Sequence, residues 1–315
     1  MSSPGPHGPA PDGPLRHAAF FYHGPADYTA GIAAFARAGL ARGEPVLLAL
    51  PGDKARMVGA HLDGEPGELA CVDMAELGRN PARIIPEVRS FTDKHPGQRV
   101  RVVGEPAWPG RSPAEMCEVT RHEALINLAF SRARAAILCP YDAAGLAESV
   151  LAGARRTHQE ISERGRARPA AAAGWPGTIP AECDAPLGPP PAGAEALAYH
   201  LDLATVRRLA DSYARRAGLS EERTVDLVLA ANELAANTIS HTPGGGVMHL
   251  WHTPEEIVCQ VHDLGRITDP LAGRVRHGPD DRGHGLWLVN QVCDLVELRT
   301  GRAGTTIRMH VRLGR

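Results

Sequence analysis

The stretch A-N-E-L-A-A-N-T-I-S-H, from Ala231 to His241, decides the fold of the C-terminal third of this 315-residue chain. It spaces Glu233, Asn237 and His241 four residues apart, so these side chains share one face of a predicted helix that begins at Ser220. The helix is otherwise largely apolar, and burying a carboxylate, an amide and an imidazole without partners is costly. The line of polar groups therefore indicates either a binding site or a solvated stripe, and the segments that follow must decide.

Three glycine-containing segments follow this helix in a fixed order. They are D-L-G at the end of a predicted strand (Asp263 to Gly265), G-H-G-L-W-L-V opening an apolar helix (Gly283 to Val289), and G-R-A-G-T-T-I between two strands (Gly301 to Ile307). Each segment alone is common. Together with the helix they resemble the N, G1, G2 and G3 boxes of the ATPases of the gyrase, histidine kinase and MutL (GHKL) type. The resemblance implies an α+β two-layer sandwich, the Bergerat fold, over residues 195–315.

This resemblance also implies an ATP site. Asp263 would accept a hydrogen bond from the adenine amino group, Gly265 would let the base approach the backbone, and hydroxyls of Thr305 and Thr306 would reach the adenine edge. The chain has no G-x-x-x-x-G-K-[ST] motif, which disfavours a P-loop site.

At the phosphate end, the resemblance implies that Asn237 gives its amide oxygen to Mg²⁺ and that Glu233 is the catalytic residue, as general base or as orienter of the group that attacks the γ-phosphate. Glycines at a helix start expose backbone N–H groups that favour phosphate. The residues expected to contact phosphate are Arg282, Gly283, Gly285 and Leu286. His241 is expected to be structural, and the His284 side chain is not needed.

The segment before this domain indicates which class of GHKL protein the chain resembles. Histidine kinases carry a helical hairpin with a phospho-accepting histidine there, whereas this chain has a Pro/Ala-rich stretch, and the nearest candidate is His158. The domain looks most like the anti-sigma-factor serine kinases, which implies phosphorylation of a sigma factor or a STAS-domain anti-anti-sigma partner. Two alternatives remain open, an ATP-dependent binding switch without transfer and an atypical histidine kinase.

Residues 15–165 alternate short apolar runs with amphipathic stretches, which predicts a mostly parallel α/β sheet of the RecA or flavodoxin kind. Fragments such as H-A-A-F-F-Y (His17 to Tyr22), V-G-E-P-A-W-P-G-R-S (Val103 to Ser112) and C-P-Y-D (Cys139 to Asp142) resemble the MEDS sensory domain. Ligands of such sheets bind at the carboxyl ends of the strands. Six residues follow or end predicted strands and would line a crevice for a small-molecule ligand, unless they are turn and core residues: His23, Glu105, Trp108, Arg111, Tyr141 and Asp142.

Composition bounds the remaining possibilities. The formal net charge of −2 predicts no general attraction to nucleic acid or to acidic membranes, and no apolar run is long enough to span a bilayer. Residues 1–14 lack a signal-peptide pattern and are expected to be disordered, so we expect a cytoplasmic protein, and a homodimer is compatible with it. Residues 166–194, rich in Pro and Ala, are expected to form a linker. The six cysteines include no C-x-x-C pair, which favours free thiols over a disulfide or zinc framework.

Overall fold

The computed structural model describes residues 15–171, 177–275 and 284–314. The chain divides into two compact units, one up to Cys183 and one from Asp184 onward. Each unit is treated separately below. Within the described residues, no helix combines the length and the apolar character needed to cross a membrane.

The N-terminal unit is an α/β domain in which strands and helices alternate. Its described strands are β1 (Leu15–Tyr22), β2 (Val46–Leu50), β3 (Leu69–Asp73), β4 (Val100–Gly104), β5 (Ala135–Asp142), β6 (Glu160–Glu163) and β7 (Arg166–Pro169). Its described helices are α1 (Pro25–Leu40), α2 (Gly52–Leu62), α3 (Met74–Leu77), α4 (Ile84–Asp93, after a 3₁₀ turn at Pro81–Arg83), α5 (Pro113–Ala129), α6 (Glu148–Thr157) and α7 (Ala181–Asp184).

The described strands of this unit form one sheet in the order β3-β2-β4-β5-β1-β6-β7, parallel except for the β6–β7 pair. Central strands such as β2 and β4 are buried along their whole length, as expected for a sheet covered on both faces. Phe20 and Leu48 face a core shared with α1 and α2. Strand neighbours of opposite orientation, such as His17 and Cys139, face α5. The expected α/β class is confirmed.

Part of the stretch expected to be a linker is ordered structure. Strand β7 pairs antiparallel with β6 through a tight turn in which Arg164 (φ 49°) and Gly165 (φ 72°) are both left-handed, as two-residue hairpins require. The sequence R-A-R-P concealed this strand because every residue of an exposed edge strand faces water, so no apolar alternation appears. The boundary between the units falls at Cys183, inside the stretch 166–194.

The C-terminal unit is an antiparallel sheet with helices on one face. Its described elements are β8 (Glu195–Tyr199), α8 (Leu203–Arg216), α9 (Glu221–His241), β9 (Gly246–His252), β10 (Glu256–Asp263), α10 (His284–Val292), β11 (Leu295–Gly301) and β12 (Gly304–Arg312). The strand order in the described residues is β11-β12-β10-β9-β8. Side chains of α8, α9 and α10 share one apolar core with alternate residues of the strands, among them Met248, Cys259 and Met309. This is the α+β arrangement that the sequence predicted.

Local signals explain where the two long helices begin. Asp202 accepts a hydrogen bond from the backbone N–H of Thr205 and caps α8, and Ser220 accepts one from Arg223 and caps α9. The predicted start of α9 at Ser220 therefore agrees with its observed cap. Because α9 keeps an unbroken helical register from this cap, Glu233 and Asn237 lie on one face.

Candidate functional site

A cavity of about 410 Å³ opens between α9 and the ends of β10 and β12. That volume lies within the range usual for small-molecule sites. Five residues predicted to bind nucleotide line it, together with His241, which was expected to be structural: Asn237, Asp263, Gly265, Leu286 and Thr305.

Asp263, the last residue of β10, is held by three donors. The hydroxyl of Thr238 donates to Oδ2 at 2.7 Å, while the hydroxyl of Thr242 and the backbone N–H of Gly265 donate to Oδ1 at 3.2 and 2.7 Å. The Tyr199 hydroxyl donates in turn to Thr238 at 3.1 Å. Burial raises the pKa of Tyr199 to about 12, so this hydroxyl stays protonated and remains a donor. The carboxylate is thus fixed in position at the cavity wall.

Gly265 must be a glycine because the backbone comes close to its neighbours. A Cβ at this position would lie 2.4 Å from Thr242 Oγ1 and 2.9 Å from Asp263 Oδ1. The Thr305 hydroxyl donates to the Gly265 carbonyl at 2.9 Å and lies 3.0 Å from the Thr300 hydroxyl. These hydrogen bonds therefore join the loop after β10 to strand β12 beside the carboxylate of Asp263.

The second end of the site lies where α10 begins. A Cβ at Gly285 would be 2.7 Å from Glu233 Oε2 and 3.1 Å from Asn237 Nδ2, so both polar side chains of α9 reach the first turn of α10. The first N–H groups of a helix have no partner within the helix and favour anions. A carboxylate, an amide and these donors consequently meet at one point.

Among the lining residues, His241 is exposed at the last position of α9, and Leu286 is buried in the first turn of α10. Arg282 and Gly283 lie outside the described residues.

Thr306 does not belong to this cavity, which corrects the sequence analysis. Neighbouring side chains in a strand point to opposite faces. Thr305 pairs with Asp263 and faces the helices, whereas Thr306 pairs with His262 on the other face, with their Oγ1 and Nδ1 atoms 3.0 Å apart. The Thr306 side chain therefore points away from the cavity.

Thr238, Thr242 and Tyr199 belong to the site but were not predicted from the sequence. A signal for the threonines was present, because positions 234, 238 and 242 continue the buried stripe of α9 at four-residue spacing. A hydroxyl in such a stripe requires a polar partner across the core. No local sequence pattern indicated the role of Tyr199, because this residue lies on β8, at the opposite edge of the sheet from β11.

In the N-terminal unit, Glu105 is buried just after β4 among partners from β1, α1 and α2. Tyr28 and Tyr22 donate to its carboxylate at 2.8 and 3.3 Å, and Lys54 forms an ion pair with it. Burial raises the pKa of Glu105, although Lys54 and the two hydroxyls lower it, and the net shift is upward. The Lys54 ammonium also lies 4.8 Å from the Tyr28 ring centroid. Glu105 thus belongs to a closed polar cluster.

Trp108 and Arg111 do share a cavity, of about 440 Å³, near the start of α5. The guanidinium of Arg111 stacks 3.5 Å from the Trp108 ring centroid and donates to the carbonyls of Pro106 and Gly78. One wall of this cavity therefore includes the Trp108 ring, held in place by the buried guanidinium of Arg111.

The remaining three predicted crevice residues lie elsewhere. Asp142 accepts hydrogen bonds from the backbone of Ala144 and Gly145 in a turn, and His23 pairs with Glu163. Tyr141 is buried on the sheet face that carries Cys139, opposite the face on which Glu105 meets Tyr22. The expectation of one crevice lined by all six residues is wrong, because strand alternation sends adjacent positions to different faces.

Comparison with known families agrees with this architecture. Residues 16–159 match the model described as the methanogen/methylotroph DcmR sensory domain (MEDS). Residues 197–311 match the model described as the histidine kinase-like ATPase domain. No curated protein matches the chain. The chain therefore consists of an N-terminal MEDS sensory domain and a C-terminal histidine kinase-like ATPase domain of the GHKL type, the combination of a sensor-coupled ATP-binding regulator.

Proposed function

We propose that the ATPase domain binds Mg-ATP and transfers the terminal phosphoryl group to a serine or threonine of a protein partner. The observation that supports this proposal is the presence of two polar groups of side chains along α9, one around Asp263 and one at the start of α10. Asp263 is held by Thr238 and Thr242 at the cavity wall, and Glu233 and Asn237 meet the first turn of α10. The group around Asp263 would recognise the edge of the base, and the group formed by Glu233 and Asn237 would bind the phosphate chain.

At the cavity wall, Asp263 would accept the hydrogen bond of the adenine amino group. Its two oxygens already take three donors, which fix the carboxylate in place before nucleotide arrives. Preorganised acceptors lose little freedom on binding, so they add to affinity and specificity. Thr305, tied to the Gly265 carbonyl, would bound the same end of the pocket.

At the phosphate end, the first N–H groups of α10 would hold phosphate oxygens. Asn237 would hold Mg²⁺ through its amide oxygen, and the donor set fits, since Mg²⁺ prefers oxygen ligands from protein and phosphate. Bound there, the ion would neutralise charge on the phosphates.

Transfer would use the partner hydroxyl as the nucleophile. Its oxygen forms a bond to the γ-phosphorus, the bond from that phosphorus to the bridging oxygen breaks, and ADP leaves. The hydroxyl proton passes to the carboxylate of Glu233, which the close approach of Gly285 keeps beside the start of α10.

Phosphorylation of a partner is favoured over phosphorylation of the protein's own histidine. His158, the candidate acceptor of the histidine-kinase alternative, is 0% exposed. A side chain without solvent access cannot meet a γ-phosphate held in another domain. The partner class implied by the resemblance is a sigma factor or a STAS-domain anti-anti-sigma factor, with control by the MEDS domain.

The signal read by the MEDS domain would be a small molecule held in the Trp108–Arg111 cavity. The Trp108 ring, held in place by the buried guanidinium of Arg111, offers a flat aromatic surface, and the cavity volume suits a small ligand. Binding of this ligand would alter the kinase activity through a conformational change in the sensory domain.

The experiment is partner capture from the native cytosol by the full chain, with and without Mg-ATP, followed by transfer from γ-labelled ATP. Acid-stable phosphoserine or phosphothreonine on the captured partner is expected, and Glu233→Gln should abolish transfer while nucleotide binding persists. Nucleotide-dependent capture that never yields phosphate on the partner would leave a binding switch as the function. Acid-labile phosphate on the protein itself, lost in His158→Ala, would establish the histidine-kinase alternative.

A further inference from the structure

Four side chains with metal-ligating atoms meet inside the MEDS domain, away from both sites described above. They are His17 of β1, Glu123 of α5, Cys139 of β5 and His158 at the end of α6, and all four are buried. Their ligand atoms lie within 4.8 Å of one another. No part of the proposed phosphoryl transfer uses them.

The closest distances centre on one carboxylate oxygen. Glu123 Oε2 lies 3.1 Å from His17 Nε2, 3.3 Å from Cys139 Sγ and 3.4 Å from His158 Nε2. The sulfur is also 3.4 Å from His17 Nε2. The other carboxylate oxygen is occupied, because the Tyr141 hydroxyl donates to Oε1 at 3.1 Å.

Hydrogen bonds behind the two imidazoles fix where their protons are. His17 Nδ1 lies 3.1 Å from Asn127 Oδ1, and that amide is oriented by its Nδ2 donating at 2.6 Å to the Thr157 carbonyl. His158 Nδ1 lies 2.9 Å from the Ala154 carbonyl. Both acceptors are oxygens that carry no proton, so both histidines bear a proton on Nδ1.

It follows that each neutral imidazole directs an unprotonated Nε2 toward Glu123. His158 Nε2 is buried and makes no hydrogen bond among the described residues. A lone pair facing a carboxylate oxygen is repulsive unless a proton or a cation lies between them. Charging both rings is costly, since their centroids are only 4.0 Å apart.

Without a cation, the neutral Cys139 thiol supplies one proton, donated to Glu123 Oε2 at 3.3 Å, and a further proton is needed between His158 Nε2 and the carboxylate. A divalent cation would satisfy all four groups together. With Cys139 as thiolate and Glu123 as carboxylate, its two positive charges are balanced by two negative ones, so the buried site is neutral.

We propose that His17, Glu123, Cys139 and His158 bind one Zn²⁺ ion in a closed tetrahedral site. Zinc takes this mixture of nitrogen, oxygen and sulfur ligands. Bonds of about 2.0–2.1 Å at tetrahedral angles place nitrogen and oxygen ligands about 3.3 Å apart, close to the distances from Glu123 Oε2. A histidine ligand almost always donates its second ring N–H to a carbonyl or carboxylate, as both do here.

Four protein ligands leave no open position, which identifies a structural rather than a catalytic site. The ion would join β1, α5, β5 and the residue after α6. Cysteine spacing could not reveal it, because the set contains one cysteine and its members are separated by up to 141 residues (158 − 17). Binding would release the thiol proton.

The test is the zinc content of the full chain. Protein expressed with zinc in the medium is purified, dialysed and unfolded in denaturant, and the released ion is measured with a chromogenic zinc indicator. We expect about one zinc ion per chain. Loss of that ion is expected in Cys139→Ala and in His158→Gln, and Cys71→Ser, which changes an exposed cysteine, serves as the matched control.

A second measurement does not depend on the variants folding. The unmutated chain is stripped with a chelator and titrated with Co²⁺, which should give the visible absorption bands of a tetrahedral thiolate site, and stripping should lower the thermal midpoint. A folded chain that holds no zinc and shows no such bands would overturn the proposal. Equal zinc in Cys139→Ala would overturn it as well.

Discussion

The hydroxyl of Thr238 donates a 2.7 Å hydrogen bond to Oδ2 of Asp263, and so joins α9 to the last residue of β10. The same hydroxyl accepts from Tyr199, whose strand lies on the far side of β9. Through this one side chain, the residue proposed to recognise adenine is held by two other elements of the domain. Its geometry therefore depends on packing and not only on its own strand.

Replacing Thr238 by valine should destabilise the ATPase domain. The buried Tyr199 hydroxyl loses its acceptor and Asp263 loses a donor, and leaving buried polar groups unsatisfied costs about 1–3 kcal/mol. Urea unfolding measures the change in the free energy of unfolding. In a Tyr199→Phe background the same replacement should cost less, and equal costs in both backgrounds would contradict the coupling.

Thr305→Val and Thr306→Val should differ in nucleotide affinity. Thr305 lies beside Asp263 in the cavity, whereas Thr306 lies on the opposite face next to His262. Losing one hydrogen bond costs about 1 kcal/mol, or roughly fivefold in the dissociation constant. Calorimetric titration with ADP should show this weakening for Thr305→Val alone. A comparable loss in Thr306→Val would place the base elsewhere.

Gly285→Ala should impair binding of Mg-ATP. The added Cβ would lie 2.7 Å from Glu233 Oε2 and displace that carboxylate and the nearby Asn237 amide. We expect at least about a tenfold loss in affinity for Mg-ATP, equal to 1.4 kcal/mol, measured by nucleotide titration. Gly193→Ala is the matched control, because it lies outside the predicted nucleotide-binding segments and a Cβ there meets nothing within 4 Å. Unchanged affinity in Gly285→Ala would argue against a phosphate site at this turn.

Stability of the ATPase domain should fall in mildly alkaline solution because of His310. Burial lowers the pKa of His310, but hydrogen bonds and charges from Glu256 and Glu297 outweigh it and raise the pKa from 6.5 to about 9. The folded-state pKa exceeds the unfolded one, so the stabilisation is fully present below pH 6.5 and lost as pH rises through about 9.

The contribution is at most about 3 kcal/mol at low pH. Urea unfolding across this pH range should show the decline, and His310→Gln should flatten it. A decline that persists unchanged in His310→Gln would assign it to another group.

Much of the fold followed from local pattern. The alternation of apolar runs and amphipathic stretches over residues 15–165 predicted the mostly parallel sheet, and Ser220 predicted the start of α9, because strand burial and helix capping depend on nearby residues. The edge strand at Arg166–Pro169 was missed, since an exposed edge leaves no apolar signature. For the site, four-residue spacing correctly aligned Glu233 with Asn237, but it could not show that Gly285 meets them.

The sequence alone indicated two domains, because helical and strand periods depend on neighbouring residues, and the resemblance to the GHKL ATPases supplied the residues of the candidate nucleotide site. Only the tertiary structure decided that Thr305 faces Asp263 while Thr306 faces away, since the phase of a strand is set by its pairing. Only the tertiary structure brought His17, Glu123, Cys139 and His158 together, because residues far apart in sequence meet only when strands and helices pack. Sites built from residues that are far apart in the sequence can therefore be recognised only once the fold is known.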